Sequence, residues 1–77
     1  MKTVSPIKLQ EILRLHKLWV EGDTFGERAN LNCVDLSGSN LRGAYLRGAN
    51  LSGVNLSGAN LRYVIGNSKE IRTLQLG

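Results

Sequence analysis

The sequence predicts a mainly β fold, a solenoid of short coils behind a single N-terminal helix. Three observations carry this. Leucine recurs every fifth residue from Leu31 through Leu36, Leu41, Leu46, Leu51 and Leu56 to Leu61. A nine-residue stretch beginning at Val34 returns twenty residues later at Val54. Helical spacing of apolar residues occurs in one segment only, ahead of the repeats.

A five-residue period suits neither regular element. On an α-helix each step of five turns the side chain about 140° further round, which scatters the leucines over every face. On a strand an odd step sends successive leucines to opposite sides. Every leucine stays inward only if the chain turns a corner once per pentad, and that is a solenoid.

The other slots of the pentad fit the same geometry. Two residues before each leucine stand Ala29, Val34, Ser39, Ala44, Ala49, Val54 and Ala59, with Val64 next in the series. These pair with leucine as small inward neighbours. Asn30, Asp35, Asn40, Asn50, Asn55 and Asn60 directly precede leucines, and such side chains bond turn backbone. Tyr45 breaks that series. Two residues after the leucine, glycine fills five consecutive pentads from Gly38 to Gly58, where a tight corner favours positive φ.

The twenty-residue echo predicts four pentads per coil. Val34, Val54 and Leu74 then stack in one column, and Leu31, Leu51 and Ile71 in another. After Leu61 the period weakens: Gly66 takes a leucine slot before Ile71 and Leu76 resume the register. The expectation is a little over two coils across 29–76, with a fraying end.

Upstream, Ser5-Pro6 reads as an N-cap followed by proline in the first turn. Leu9, Ile12, Leu13, His16, Trp19 and Val20 share one helical face, while Gln10, Arg14, Lys17 and Glu21 lie opposite. Gly22-Asp23 ends the element, giving a capping helix over 5–22 whose apolar face covers the open first coil. Ile7 and Leu18, with Leu15 at their border, leave apolar surface beyond what one cap requires. They are either scattered surface residues or a small contact surface for a partner or a second copy.

At 77 residues the chain is one domain, 1–77, too small to enclose a catalytic cleft. Its formal charge of +4 favours acidic partners mildly. The lone Cys33 forms no internal disulfide and completes no zinc set, which points to a cytoplasmic setting. No apolar run resembles a signal peptide or a membrane span.

Ala29-Asn30-Leu31, Ala49-Asn50-Leu51 and Ala59-Asn60-Leu61, set in tandem pentads, resemble the pentapeptide repeat family. The likeness covers about Ala29 to Leu76. It implies a right-handed quadrilateral β-helix with four pentads to a coil. The Leu-His-Lys-Leu-Trp helix ahead of the repeats, with the tail Ile65-Gly66-Asn67-Ser68-Lys69-Glu70-Ile71, is similar to small phage-encoded members. The resemblance implies a non-enzymatic inhibitor or binding protein without cofactors. Its implied partners are a Cas effector complex, in an anti-CRISPR role, or a topoisomerase such as gyrase, through DNA mimicry. It also allows pairing of two copies through a coil end. One departure bears on mimicry: Arg42, Arg47, Arg62, Lys69 and Arg72 outnumber Asp35 and Glu70 from Ala29 to Leu76, the wrong sign for imitating phosphate.

No catalytic set is visible. His16 reads as a packed, hydrogen-bonded cap residue, because no nucleophile or orienting acid can be assigned to it. Cys33 reads as a tolerated small residue in a glycine slot. The regularly spaced glycines are corners and form no phosphate-cradling loop. No residue set suggests a metal site. The candidate site is a partner-binding patch. In the four-pentad register Arg42 and Arg62 stack about 4.8 Å apart on one face. Tyr45 lies beneath Ile65 on the next face, with Arg47 beside them and Tyr63 at the intervening corner. Tyrosine and arginine gathered in this way form a plausible hot spot for a protein partner. Direct nucleic-acid binding through the same arginines is the alternative.

Overall fold

The computed structural model describes residues 1–66. Helix α1 runs Pro6–Val20. Ser5 starts it in extended conformation, its hydroxyl accepting the Lys8 N–H at 3.1 Å, and Pro6 occupies the first turn. Glu21 is the C-cap, and Gly22 turns the chain away at φ 83°.

From Ala29 onward the chain turns once per pentad. Each leucine carbonyl accepts the N–H three residues on, from Val34 N to Leu31 O (3.1 Å) through Val64 N to Leu61 O (3.2 Å). The third turn position has positive φ, as type II geometry requires: 71° at Gly38, and also 58° at Cys33 and 60° at Tyr63. Successive coils lie twenty residues apart. Asn30, Asp35, Asn40 and Tyr45 form parallel bridges to Asn50, Asn55, Asn60 and Ile65. Leu31 N–H donates to Asn50 O (2.8 Å) and Asn50 N–H to Ala29 O (2.9 Å), and the same alternation repeats along the other faces. Four turns thus separate each residue from the one stacked on it.

Among the described residues the pairing consists of isolated bridges, and no continuous strand forms. The β character is therefore sparser than a mainly β class suggests. A chain that corners every five residues presents one ladder residue per face before the next turn removes it.

The coil interior is filled. All seven leucines from Leu31 to Leu61 are buried, Leu31 completely. Removing each from water contributes about 1.5–3 kcal/mol. Val34 and Ala29 are buried beside them, and Ala44, Ala49, Val54, Ala59 and Val64 pack against the leucines at half exposure. Asparagines fix the corners: Oδ1 of Asn40 accepts the Arg42 N–H (3.1 Å), and Asn30, Asp35, Asn50, Asn55 and Asn60 do the same two residues ahead.

Helix α1 closes the first coil. Leu9 joins the leucine core, Val4, Ile12 and Leu13 pack against it, and His16 is fully buried. Two expectations need correction. Trp19, placed by helical spacing on the covered face, lies at its rim and is 41% exposed. Leu15 and Leu18 are only half exposed, because the chain after α1 folds back on the helix. Glu27 N–H donates to Leu15 O (3.0 Å) and Asp23 N–H to Leu18 O (3.0 Å). Gly26 makes this approach possible, since a Cβ there would lie 2.1 Å from Trp19 N. Ile7 does stand in solvent.

The sequence gives no sign of the first pairing. Lys2 bridges Val34, with Lys2 N–H to Cys33 O (3.2 Å) and Asp35 N–H to Lys2 O (2.7 Å). The N-terminal segment thereby supplies on this face the neighbour that an earlier coil would have provided. The expected column members Ile71, Leu74 and Leu76, and the charged Lys69, Glu70 and Arg72, lie outside the described residues.

Candidate binding surface

Arg42 and Arg62 each follow a core leucine, so the turn points them outward while Asn40 and Asn60 hold their backbone N–H groups. Stacking of the two coils is direct at this corner, where Gly43 N–H donates to Arg62 O at 2.8 Å. The Arg42 guanidinium lies 5.2 Å from the centroid of the Tyr63 ring. The two arginine positions lie in register, and the Arg42 side chain lies over the aromatic ring one residue beyond Arg62. A cation over a tyrosine face at an exposed site gains about 0.5–1 kcal/mol.

Tyr63 holds the left-handed corner conformation that glycine holds in five other pentads. For a tyrosine this costs roughly 1 kcal/mol. The residue is 74% exposed. Two residues on, Ile65 bridges Tyr45, with Leu46 N–H to Ile65 O (2.8 Å) and Ile65 N–H to Ala44 O (2.9 Å). Tyr45 is half-buried and Ile65 is 49% exposed. Together with Leu13, Lys17 and Leu18 of α1 they line an open groove of about 560 Å³. The structure therefore places Arg42, Tyr63, Tyr45 and Ile65 on adjoining faces, with Arg62 beside Tyr63 in the chain.

Arg47 plays two parts. Its side chain is exposed, but its carbonyl is held by the cap, with His16 Nε2 at 2.7 Å. His16 Nδ1 accepts the Ala29 N–H at 3.0 Å, so the neutral tautomer with hydrogen on Nε2 satisfies both bonds. At the next residue Arg28 Nε donates to Gly48 O at 2.6 Å, and its guanidinium lies 6.0 Å from the Trp19 ring centroid. Trp19 stacks on His16, with ring centroids 5.5 Å apart. This clamp sits on the pentad whose pre-leucine residue is Tyr45. The carbonyls of Ser52, Ser57 and Arg62 accept N–H groups from the coil before, and at Arg47 the His16 side chain takes that place. The sequence signal for it was His16, the polar residue on the apolar face of the helix.

Hydrogen bonding from Ser37, hydroxyl first and backbone N–H second (2.9 Å), holds the Asp35 carboxyl below its usual range. Arg14 lowers Glu11 in the same way, chiefly by a hydrogen bond at 2.7 Å. Cys33 is an exposed free thiol whose Sγ contacts Asn32 Oδ1 at 3.2 Å. Among the described residues no group of His, Cys, Asp and Glu could hold a metal ion, and no helix is long and apolar enough to cross a membrane.

Neither the curated proteins nor the solved structures include a match to this chain. Residues 29–64 match the family model for pentapeptide repeats in eight copies. That span coincides with the stretch of turns and twenty-residue bridges, and this part of the chain is built of pentapeptide repeats.

Proposed function

We propose that this protein is a non-enzymatic binding module that inhibits a nucleic-acid-handling protein complex, with a Cas effector complex as its partner. Its coils wind as a right-handed quadrilateral β-helix. Four turns per twenty-residue step support the four-sided section, and the family resemblance supports the hand. The observation that carries the function is the Arg42–Tyr63 pair beside the exposed Tyr45–Ile65 face. Tyr63 keeps a large exposed aromatic at a corner where glycine would be unstrained, and the cation laid over it makes the pair a recognisable anchor for a partner. The interior supports a non-enzymatic reading. Leucines fill it, and both ring nitrogens of His16 are engaged with backbone.

Pull-down with a purified, guide-loaded Cascade-type complex tests the proposal. The wild-type chain is retained, and the triple variant Arg42→Glu, Arg47→Glu, Arg62→Glu is not. Undiminished retention of the triple variant removes the patch from the interface, and no retention of the wild type removes this class of partner.

Direct nucleic-acid binding is a second reading, favoured by the same exposed arginines. It requires affinity that falls with salt by roughly one unit of log–log slope per phosphate contact. Imitation of duplex DNA before a topoisomerase such as gyrase has less support. Between residues 29 and 66 the arginines 42, 47 and 62 face a single acid, Asp35.

A further inference from the structure

The loop leading from α1 into the first coil is tightly held, yet it leaves a large apolar side chain in solvent. Gly26 N–H donates to Asp23 O (3.0 Å), and Asp23 Oδ1 accepts the Phe25 N–H (2.8 Å). The bonds from Asp23 and Glu27 to the helix carbonyls, with Gly26 against the Trp19 backbone, fix the loop on both sides. Phe25 is nevertheless 83% exposed, more than any other large apolar side chain among the described residues. A side chain carried on backbone that is already ordered docks at low entropic cost.

The charge around it is the reverse of the chain as a whole. The protein carries +4, yet Asp23 and Glu27 lie within two residues of Phe25 in the chain, and a third of its six acidic residues, Glu21, stands at the start of the same loop and also lines the Tyr45–Ile65 groove. All three are exposed. The one cation of the loop, Arg28, is turned onto Trp19 and the Gly48 carbonyl. Among the described residues the only ion pair is Glu11 with Arg14.

We infer that the Phe25 loop is a second docking surface, and that its occupant is a cationic protein surface bearing an apolar pocket. Phe25 enters the pocket, and the flanking carboxylates face lysines and arginines at its rim. The inference rests on the function proposed above, because proteins that hold nucleic acid present such cationic surfaces. The arginine face cannot dock on such a rim, since its charge has the same sign. The two surfaces therefore address different chemistry on one complex.

Binding to the guide-loaded Cascade-type complex is measured by biolayer interferometry for the wild type, Phe25→Ala and Glu27→Lys, with melting temperatures checked in parallel. Phe25→Ala is expected to weaken binding at least tenfold at an unchanged melting temperature. Glu27→Lys is expected to weaken it most at low salt, where screening is least. Wild-type binding with both variants equally tight overturns the second surface and leaves the proposed function standing. No binding by the wild type overturns both.

Discussion

His16 donates its Nε2 hydrogen to the carbonyl oxygen of Arg47 at 2.7 Å, joining the helix to a coil corner thirty-one residues away. Its other nitrogen takes the N–H of Ala29, where the repeats begin. One fully buried side chain thus registers the cap on the solenoid in two places. His16→Ala leaves a buried donor and a carbonyl unpaired and opens a cavity. The expected cost is about 2–4 kcal/mol, read as a lower urea midpoint. A loss below about 1 kcal/mol would show that water or a neighbour replaces both bonds.

Gly26 and Gly38 separate two reasons for glycine. A Cβ at Gly38 would meet nothing within 4 Å, so only its φ of 71° opposes alanine. Gly38→Ala should cost about 1 kcal/mol. At Gly26 the added carbon would sit 2.1 Å from Trp19 N, against backbone that cannot yield without shifting the loop. Gly26→Ala should cost more, about 2–3 kcal/mol, in the same denaturation series. Equal losses at the two sites would mean that the loop adjusts freely.

Asp35 makes the coil sensitive to acid. Its native-state pKa is lowered, mainly by Ser37, so the unfolded chain binds this proton more readily than the folded one. The stability it contributes is present above the ordinary aspartate value of about 3.9 and disappears as pH falls through the lowered native value. Asp35→Asn keeps an acceptor for the Ser37 N–H and for the Asn55 amide, now at 3.3 Å, but cannot be protonated in this range. Melting temperatures between pH 7 and pH 2 should therefore fall less steeply for the variant. Parallel profiles would remove Asp35 from the acid response.

The repeat was legible because its signal is redundant. Seven leucines, the flanking small residues and the corner glycines each report the same five-residue turn, so Cys33 and Tyr63 in glycine slots do not obscure it. The helix was legible from Ser5-Pro6 and its apolar face. The Lys2–Val34 bridge was not, because one residue pairing through backbone leaves no periodic trace. At the candidate surface, register predicted that Tyr45 and Ile65 would stack, since backbone decides that pair. It could not predict that Arg42 would lie over Tyr63, which depends on how two long side chains turn at a corner.

Tyr63→Gly tests whether that corner serves stability or recognition. Glycine removes the strain of a φ of 60°, worth roughly 1 kcal/mol, and forfeits an exposed cation–π contact of about 0.5–1 kcal/mol. The two nearly cancel, so stability should move by less than about 0.5 kcal/mol in either direction. Affinity for the partner complex should fall at least tenfold, because Tyr63 is 74% exposed and available to it. Unchanged affinity with lower stability would assign Tyr63 to the coil itself and strip the patch of its central aromatic.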